Sequence, residues 1–236
     1  IWTPEIKETN YALDFDGVDD YVATASNISA LDITADITIS SWVNISSLPN
    51  DWARFVGKGN ATYRTYGLWI HPNNGKLLWQ TYGGGSVNLT SNTTLSTGAW
   101  YHVVATKSGN TATIYVNGVA DATGTSSDFS ETAYSTSDPF GIGNGFSNPY
   151  KGKIDEVAVW DKGLSAAEIT TLYNSGDGLD ASSNSGNYNS ASNLVGYWKM
   201  DDGSGTSLTD SSSNSYTATM INMSDADWVA SGVSTS

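Results

Sequence analysis

Residues 37–45 read Ile-Thr-Ile-Ser-Ser-Trp-Val-Asn-Ile, and two kinds of side chain alternate along this run. One face carries apolar residues and the other carries mostly polar ones. The apolar face holds Ile37, Ile39, Val43 and Ile45, and the opposite face holds Thr38, Ser40, Trp42 and Asn44. A period of two is the repeat of a β-strand, because successive side chains point to opposite sides of the backbone. The run therefore predicts a strand with one buried face.

Similar runs recur along the chain, separated by clusters of Gly, Asn, Asp and Ser. Residues 100–105 are mostly apolar on both faces, as in a strand inside a sandwich. Asn117-Gly118 supplies the two positive φ angles of a type I′ hairpin turn. Helical periodicity is convincing only over residues 165–174, where Ser165 and Glu168 have the spacing of a capping box. These patterns predict an all-β fold, an antiparallel sandwich of two sheets with one short helix near 165–174.

Five segments in a fixed order give the chain a family resemblance. They read ALDFDGVDDYV at residues 12–22, ITISSWV at 37–43, GAWYHVV at 98–104, IYVNG at 114–118, and GKIDEVAVW at 152–160, which leads to LSAAEI at 164–169. In this order they resemble the laminin G-like domains of the concanavalin A-like lectin/glucanase superfamily, in the version common in bacterial and phage surface proteins. The resemblance spans residues 11–174. It implies a jelly-roll β-sandwich.

Residues 194–229 look like the strand and turn that normally precede the Phe-Asp-Gly segment in such domains, but here they come last. They either fold back onto a single domain, residues 1–236, as a permuted edge strand, or they open a following repeat at 194–236 after a domain at 11–176. We favour the fold-back arrangement. An orphan half-repeat would expose Trp198, Met200 and Trp228 as an aggregation-prone edge.

Composition excludes several classes of function. The net charge is −14, with 24 acidic and 10 basic residues, which argues against nucleic acid as a partner. The absence of cysteine excludes a disulfide framework, a thiolate zinc site and a cysteine nucleophile. No apolar stretch reaches the length of about 18 residues that insertion into a membrane requires. The abundance of Ser, Thr, Asn and Gly favours a secreted, cell-surface or virion-exterior protein.

Carboxylates crowd the turn in the first family segment. Asp14, Asp16, Asp19 and Asp20 surround Gly17 there. Such groups repel one another unless a cation joins them, and calcium prefers oxygen ligands. The family resemblance implies a structural calcium held by an early strand turn and a late-strand aspartate. The matching residues are Asp16, Gly17 and Asp155, with Asp19 and Asp20 as weaker candidates. The alternative is that Asp16 bonds its own turn and Asp155 accepts backbone N–H groups.

A sugar site needs exposed aromatic rings that stack on pyranose faces, together with polar groups that bond the hydroxyls. The candidates lie in segments with little family constraint and comprise Trp52, Tyr63, Tyr66, Trp69, Asn148 and Tyr150, with Arg54 and Arg64 nearby. Burial is the commoner fate of these ring types. We expect Trp42, Trp100, Trp160 and Trp198 in the core. Trp52 and Tyr150, which lie in proline-containing loops, are expected to be exposed.

Catalytic groups are scarce. The five glutamates do not form the Glu-x-Asp-x-x-Glu motif of the glucanases that share this fold. His102 stands in a core strand and His71 in a turn, so neither is expected to act as a base. The sequence therefore predicts a non-catalytic carbohydrate-binding or adhesion module that is stabilised by calcium and binds a glycan or a host or cell-surface receptor. One alternative is a structural or protein–protein interaction domain of a surface, tail-fibre or virion protein. A polysaccharide lyase or hydrolase with an atypical site is the third possibility.

Overall fold

The structure is a computed structural model that describes residues 10–26, 28–82, 86–130, 134–143 and 148–235. These residues form sixteen strands and one α-helix, α1 (Ala166–Tyr173). The strands are β1 (Tyr11–Asp16), β2 (Tyr21–Thr24), β3 (Ile37–Ile45), β4 (Ala53–Gly59), β5 (Arg64–Ile70), β6 (Lys76–Tyr82), β7 (Asn88–Thr94), β8 (Trp100–Ser108), β9 (Thr111–Val116), β10 (Val119–Thr125), β11 (Phe140–Ile142), β12 (Lys151–Trp160), β13 (Leu194–Trp198), β14 (Ser207–Leu208), β15 (Ala218–Ile221) and β16 (Trp228–Ala230). No helix among the described residues is long and apolar enough to cross a membrane.

The strands form two antiparallel sheets of eight that pack face to face as a jelly-roll sandwich, which confirms the predicted fold class. Sheet A has the order β10-β9-β8-β3-β12-β1-β16, and β13 also pairs with β12. Sheet B has the order β14-β15-β2-β11-β4-β5-β6-β7. Side chains that alternate inward from both sheets form one core, which includes Phe15, Ile39, Leu68, Trp79 and Ile154. Burial of each such side chain contributes about 1.5–3 kcal/mol to the free energy of unfolding.

Strand β3 lies near the middle of sheet A. Every residue of it except Asn44 is buried, so the prediction of one buried face is wrong. The outer face is covered because α1 and the residues after it pack there. Trp42, on that face, stacks on Tyr173 of α1 with ring centroids 5.8 Å apart.

Two local predictions are confirmed. Val116 of β9 pairs with Val119 of β10 across Asn117 and Gly118, whose φ angles are 50° and 76°. At α1, the Ser165 hydroxyl accepts a hydrogen bond from Glu168 N, and the Glu168 carboxylate accepts one from Ser165 N. These bonds use N–H groups that have no partner within the helix.

Residues 194–230 contribute strands to both sheets. β13 and β16 join sheet A, whereas β14 and β15 join sheet B beside β2. Trp198, Met200 and Trp228 are all buried in the core. Trp100 was expected in the core, but this prediction is wrong. It is the first residue of β8 and is only half-buried.

Candidate functional site

An open pocket of about 420 Å³ lies on the face of sheet B that points away from the core. One part of its wall consists of Trp52, Arg64, Trp69 and Leu78. The other part is polar and consists of Gln80, Asn88 and Thr90. This volume falls within the range of about 300–1,000 Å³ that is typical of ligand pockets.

Strand alternation explains most of this lining. On β6, Leu77 and Trp79 are fully buried in the core, so Leu78 and Gln80 face the other way. On β5, Leu68 is buried in the core, and its neighbour Trp69 therefore lies on the pocket side, where 5% of its surface remains exposed.

Arg64 reaches the pocket through a β-bulge. Simple alternation would place it on the core side with Tyr66. Residues 64–67 of β5 pair with residues 80–82 of β6, so that β5 carries one extra residue, Thr65. A bulge re-aims the side chains beyond it. Arg64 therefore shares a face with Trp69.

Two aromatic rings and two guanidinium groups pack together at the floor of the pocket. The Arg64 guanidinium lies 5.3 Å from the Trp69 ring centroid and 5.7 Å from that of Tyr82. The Arg54 guanidinium lies 5.8 Å from the Trp69 ring centroid, and its Nη1 donates to the Gly59 carbonyl. Cations favour the electron-rich faces of aromatic rings. Both guanidinium groups help to fix the orientation of the Trp69 indole.

Burial acts on both arginines. It lowers the pKa of Arg54 to about 9, with the charge of Arg64 acting in the same direction. It also lowers the pKa of Arg64. At neutral pH Arg54 is therefore protonated, and the pocket floor is cationic in a chain whose net charge is −14.

The remaining lining groups offer hydrogen bonds and an apolar surface. Gln80 Nε2 donates to Asn88 Oδ1 at 2.9 Å, which orients both amides. The Gln80 carbonyl and the Asn88 amino group retain the capacity to bond a ligand. Trp52 is half-buried and meets the His71 ring edge-on, with centroids 4.6 Å apart. The pocket combines two indoles, a cation and two amides.

The structure separates the other predicted sugar-binding residues from this pocket. Tyr63 is 38% exposed and stacks on Tyr134, with ring centroids 4.0 Å apart. Asn148 is half-buried in the loop before β12. Phe146, which shares the Gly-rich loop with Asn148, lies outside the described residues. Of the predicted set, only Trp52 and Trp69 line the pocket.

The predictions for Tyr66 and Tyr150 are wrong. Tyr66 is fully buried, because it alternates inward with Leu68, and its hydroxyl donates to the Leu31 carbonyl. Tyr150, expected to be exposed, has 1% of its surface exposed and packs between Phe15 and Phe55. Neither ring lines the pocket.

The acidic turn after β1 forms a cluster of three carboxylates. Oxygen atoms of Asp16, Asp19 and Asp20 lie within 4.8 Å of one another. Asp16 Oδ1 accepts from Val18 N at 2.7 Å, and Asp20 Oδ2 accepts from Asp16 N at 2.9 Å. Burial raises the pKa of Asp20, and the nearby acidic charges add to the effect. The self-bonded turn considered as an alternative is thus present in a cluster that a cation could also join.

Asp155 does not belong to this cluster, contrary to expectation. β1 and β12 are neighbours, but in their register Asp16 pairs with Lys151. Asp155 lies four residues further along, which corresponds to about 13 Å at the rise of a strand. Its carboxylate accepts from Glu156 N and from the Ser231 hydroxyl near the C-terminus. Because the two strands are antiparallel, the turn with Gly17 meets the start of β12 and not its middle.

His102 has a structural environment. It is 2% exposed, its Nε2 lies 2.8 Å from Ser40 Oγ, and its ring lies 5.1 Å from that of Trp42. Burial lowers its pKa to about 3, so the imidazole is neutral at pH 7.

Comparison with known proteins gives a family match. A family model described as the concanavalin A-like lectin/glucanases superfamily matches residues 16–170. No curated protein matches the chain in sequence.

Several solved structures are similar in fold. A protein from Bacteroides ovatus, described as a candidate carbohydrate-binding protein, superposes with a TM-score of 0.66 at 18% identity over 97% of this chain. The chain spans 62% of the length of that protein. The CBM40 module of a Ruminococcus gnavus sialidase, bound to sialyllactose, gives 0.58 at 16% identity and covers 69% of this chain and 96% of the module. Domain 4 of a Geobacillus stearothermophilus arabinanase, bound to arabinotriose, gives 0.56 at 21% identity and covers 69% of this chain and 76% of the domain.

Proposed function

The chain belongs to the concanavalin A-like lectin/glucanase superfamily, and we propose that it is a non-catalytic carbohydrate-binding module. Its binding site is the pocket on the outer face of sheet B. The observation that carries this proposal is the pairing of two indoles, Trp52 and Trp69, with an arginine and two amides in one cavity of about 420 Å³.

The chemistry of these groups suits a sugar. Indole faces stack on the apolar C–H faces of pyranose rings, while Gln80 and Asn88 bond the hydroxyls. Trp69 is held in place by both guanidinium groups. A pre-organised ring loses little conformational entropy on binding, which favours affinity. The carbohydrate complexes of the similar modules support the same assignment.

The proposal is for binding without turnover. Most glycoside hydrolases place two carboxylic acids about 5–10 Å apart at the scissile bond. Arg64 is the single charged residue among the described lining of this pocket. We therefore expect no release of reducing ends from any glycan that binds there.

A partner of this kind fits a location outside the cell. Glycan polymers and receptors lie on cell surfaces and in the surrounding medium, so we propose that the protein is secreted or displayed on a cell or virion surface. The runner-up function, a protein–protein interaction domain, is favoured by the exposed stack of Tyr63 and Tyr134, which are 38% and 40% exposed.

A structural calcium ion is also part of the proposal, with a changed set of ligands. Asp16, Asp19 and Asp20 would hold it without Asp155, and calcium would offset both the burial that raises the pKa of Asp20 and the repulsion from nearby acidic groups that adds to this rise. We expect 1 mM calcium, about a physiological extracellular level, to raise Tm by a few degrees over EDTA. The Asp20→Asn variant should lose that increase. An identical Tm in calcium and in EDTA would contradict the calcium proposal.

Substitution of Trp69 tests the binding site. We expect Trp69→Ala to weaken the binding of any oligosaccharide that a glycan array identifies by at least about tenfold, because a stacked aromatic anchor is lost. Tyr63→Ala is the matched control, since it removes an exposed ring outside the pocket. Isothermal titration calorimetry with the identified oligosaccharide measures both. If Tyr63→Ala abolishes binding and Trp69→Ala does not, the interaction surface lies elsewhere.

A further inference from the structure

We infer that the pocket selects glycans that carry an anionic substituent, a carboxylate or a sulfate ester, and that Arg64 binds this group while Trp69 stacks on the sugar ring. The inference rests on the proposed carbohydrate-binding function. It goes beyond that function because it names the class of glycan.

The distribution of arginine in the chain is the first observation. The 236 residues contain only two arginines, Arg54 and Arg64. Both guanidinium groups lie within 6 Å of the same ring centroid, that of Trp69. The chain has eight lysines, and none of the seven in the described residues lines the pocket. Arg54 and Arg64, the two residues that can bind an anion through a pair of N–H groups, thus both lie beside the Trp69 ring.

The geometry of Arg64 is the second observation. Its side chain reaches the pocket wall only because of the bulge at Thr65. The guanidinium is held between Trp69 and Tyr82, at 5.3 and 5.7 Å from their centroids. A guanidinium that packs its face on rings can direct its N–H edge toward two oxygens of a carboxylate or sulfate. A neutral sugar hydroxyl does not require this planar pair of donors.

Electrostatics favour the same class of ligand. The described lining of the pocket contains no carboxylate, and the buried Arg54 guanidinium adds a second positive charge 5.8 Å from the Trp69 ring centroid. Burial penalises the charged forms of both arginines, as the lowered pKa of each indicates. An anion bound in the pocket would offset this penalty, whereas a neutral sugar would not.

The test compares matched acidic and neutral oligosaccharides by isothermal titration calorimetry in low salt. One arm uses sialyllactose against lactose, a second uses trigalacturonate against galactotriose, and a third uses a sulfated galactan oligosaccharide against its desulfated form. We expect the acidic member of at least one pair to bind about tenfold more tightly than its neutral partner. Its affinity should fall as salt increases. The arm that responds distinguishes a carboxylate from a sulfate.

Variants separate this inference from the proposed function. Arg64→Met keeps an unbranched apolar stem but removes the guanidinium, and it should reduce the acidic-to-neutral preference to within about twofold. Arg64→Lys retains the positive charge but lacks the planar pair of N–H donors of a guanidinium, so it should keep an intermediate preference for the acidic glycan. Thermal unfolding of both variants confirms that they fold, and the salt dependence of the wild-type protein tests the inference independently of them.

The outcomes are distinguishable. If acidic and neutral partners bind the wild-type protein equally and Trp69→Ala weakens both, the pocket binds glycans but the anionic selectivity is overturned. If no probe binds at millimolar concentration, the proposed function fails and the inference fails with it. If the acidic preference survives in Arg64→Met, the anion is bound elsewhere.

Discussion

Arg64 and Trp69 share a pocket because β5 contains one residue more than its neighbours can pair. At the scale of single residues, the sequence places both in one aromatic-rich segment but does not predict that they meet. Alternation alone assigns Arg64 to the face of Tyr66, which is the core. The one trace of a bulge in the run Arg-Thr-Tyr-Gly-Leu-Trp is Gly67, since glycine is depleted in regular strands, and it does not by itself fix where the extra residue lies.

Gly67 allows the Trp69 indole and Arg54 to lie flat on the sheet. A Cβ atom at this position would stand 3.0 Å from Trp69 Nε1 and 3.2 Å from Arg54 Cδ. We expect Gly67→Ala to displace the indole, to lower the free energy of unfolding by about 1–3 kcal/mol, and to weaken glycan binding by about tenfold. Calorimetry and chemical denaturation measure the two effects.

Gly124→Ala is the control for that substitution. Gly124 lies within strand β10, and its nearest neighbours, Leu89 and Phe129, stand 3.3–3.4 Å from the new Cβ. Glycan binding should be unchanged in this variant. Equal binding by Gly67→Ala and the wild-type protein would contradict the assigned role of the Trp69 orientation.

At the scale of elements, β12 determines where the buried acids lie. One edge of β12 pairs with β1 up to Ile154 and with β13 from Val157 onward. Between these partners the strand bulges, and Glu156 adopts a φ of 51°. The Glu156 carboxylate accepts from the hydroxyls of Tyr197 and Thr235. The C-terminal residues therefore close over this irregular point.

Glu156 makes stability depend on pH. Burial raises its pKa from 4.5 to about 8. Over this pH range the folded state retains a proton that the unfolded chain releases. The stabilisation linked to this proton is complete below pH 4.5 and is lost as the pH rises through 8. Between these two pH values, the free energy of unfolding changes by at most about 1.4 kcal/mol per pH unit through Glu156.

We expect Glu156→Gln to be more stable than the wild-type protein at pH 8, with a difference that shrinks toward pH 5. The amide resembles the protonated acid: its oxygen accepts from one of the two hydroxyls and its NH2 group donates to the other, without the buried charge. Denaturation at several pH values measures the difference. Asp177→Asn, which removes an exposed carboxylate, serves as the control and should follow the wild-type profile. A Glu156→Gln protein less stable than the wild type at pH 8 would disprove the pH dependence.

Elements with short-range signals were predictable. The turn at Asn117-Gly118 and the cap formed by Ser165 and Glu168 depend on neighbours within a few residues. The position of Asp155 depends on the register of two strands about 140 residues apart, which local patterns do not encode. The sequence also cannot show that α1 covers β3, and so the burial of the second face of this strand was missed, although Trp42 on that face was expected to be buried.

At the scale of the whole molecule, residues 194–230 complete both sheets. Trp198 stacks on Phe140 of sheet B with ring centroids 4.9 Å apart, and β13 pairs with β12. Removal of one large core side chain costs about 3–5 kcal/mol, and the tail supplies several, against a total stability of about 5–15 kcal/mol.

Truncation tests whether the tail is part of the same unit. We expect a protein that ends at residue 193 to lack cooperative thermal unfolding. A separate chain of residues 194–236 should restore that transition when the two are coexpressed, which controls for a defect unrelated to the tail. If residues 1–193 alone unfold at the wild-type Tm, the tail belongs to another unit.

The nine tryptophans provide a direct test of the central claim, that sugar binds at the outer face of sheet B. Each indole N–H gives a separate signal in a ¹⁵N NMR spectrum, and these signals can be assigned by single Trp→Phe variants. Titration with the oligosaccharide that binds best should shift the signals of Trp52 and Trp69 and leave that of the buried Trp79 in place. A titration that moves the signal of Trp100 or Trp228 and leaves those of Trp52 and Trp69 unchanged would contradict the account.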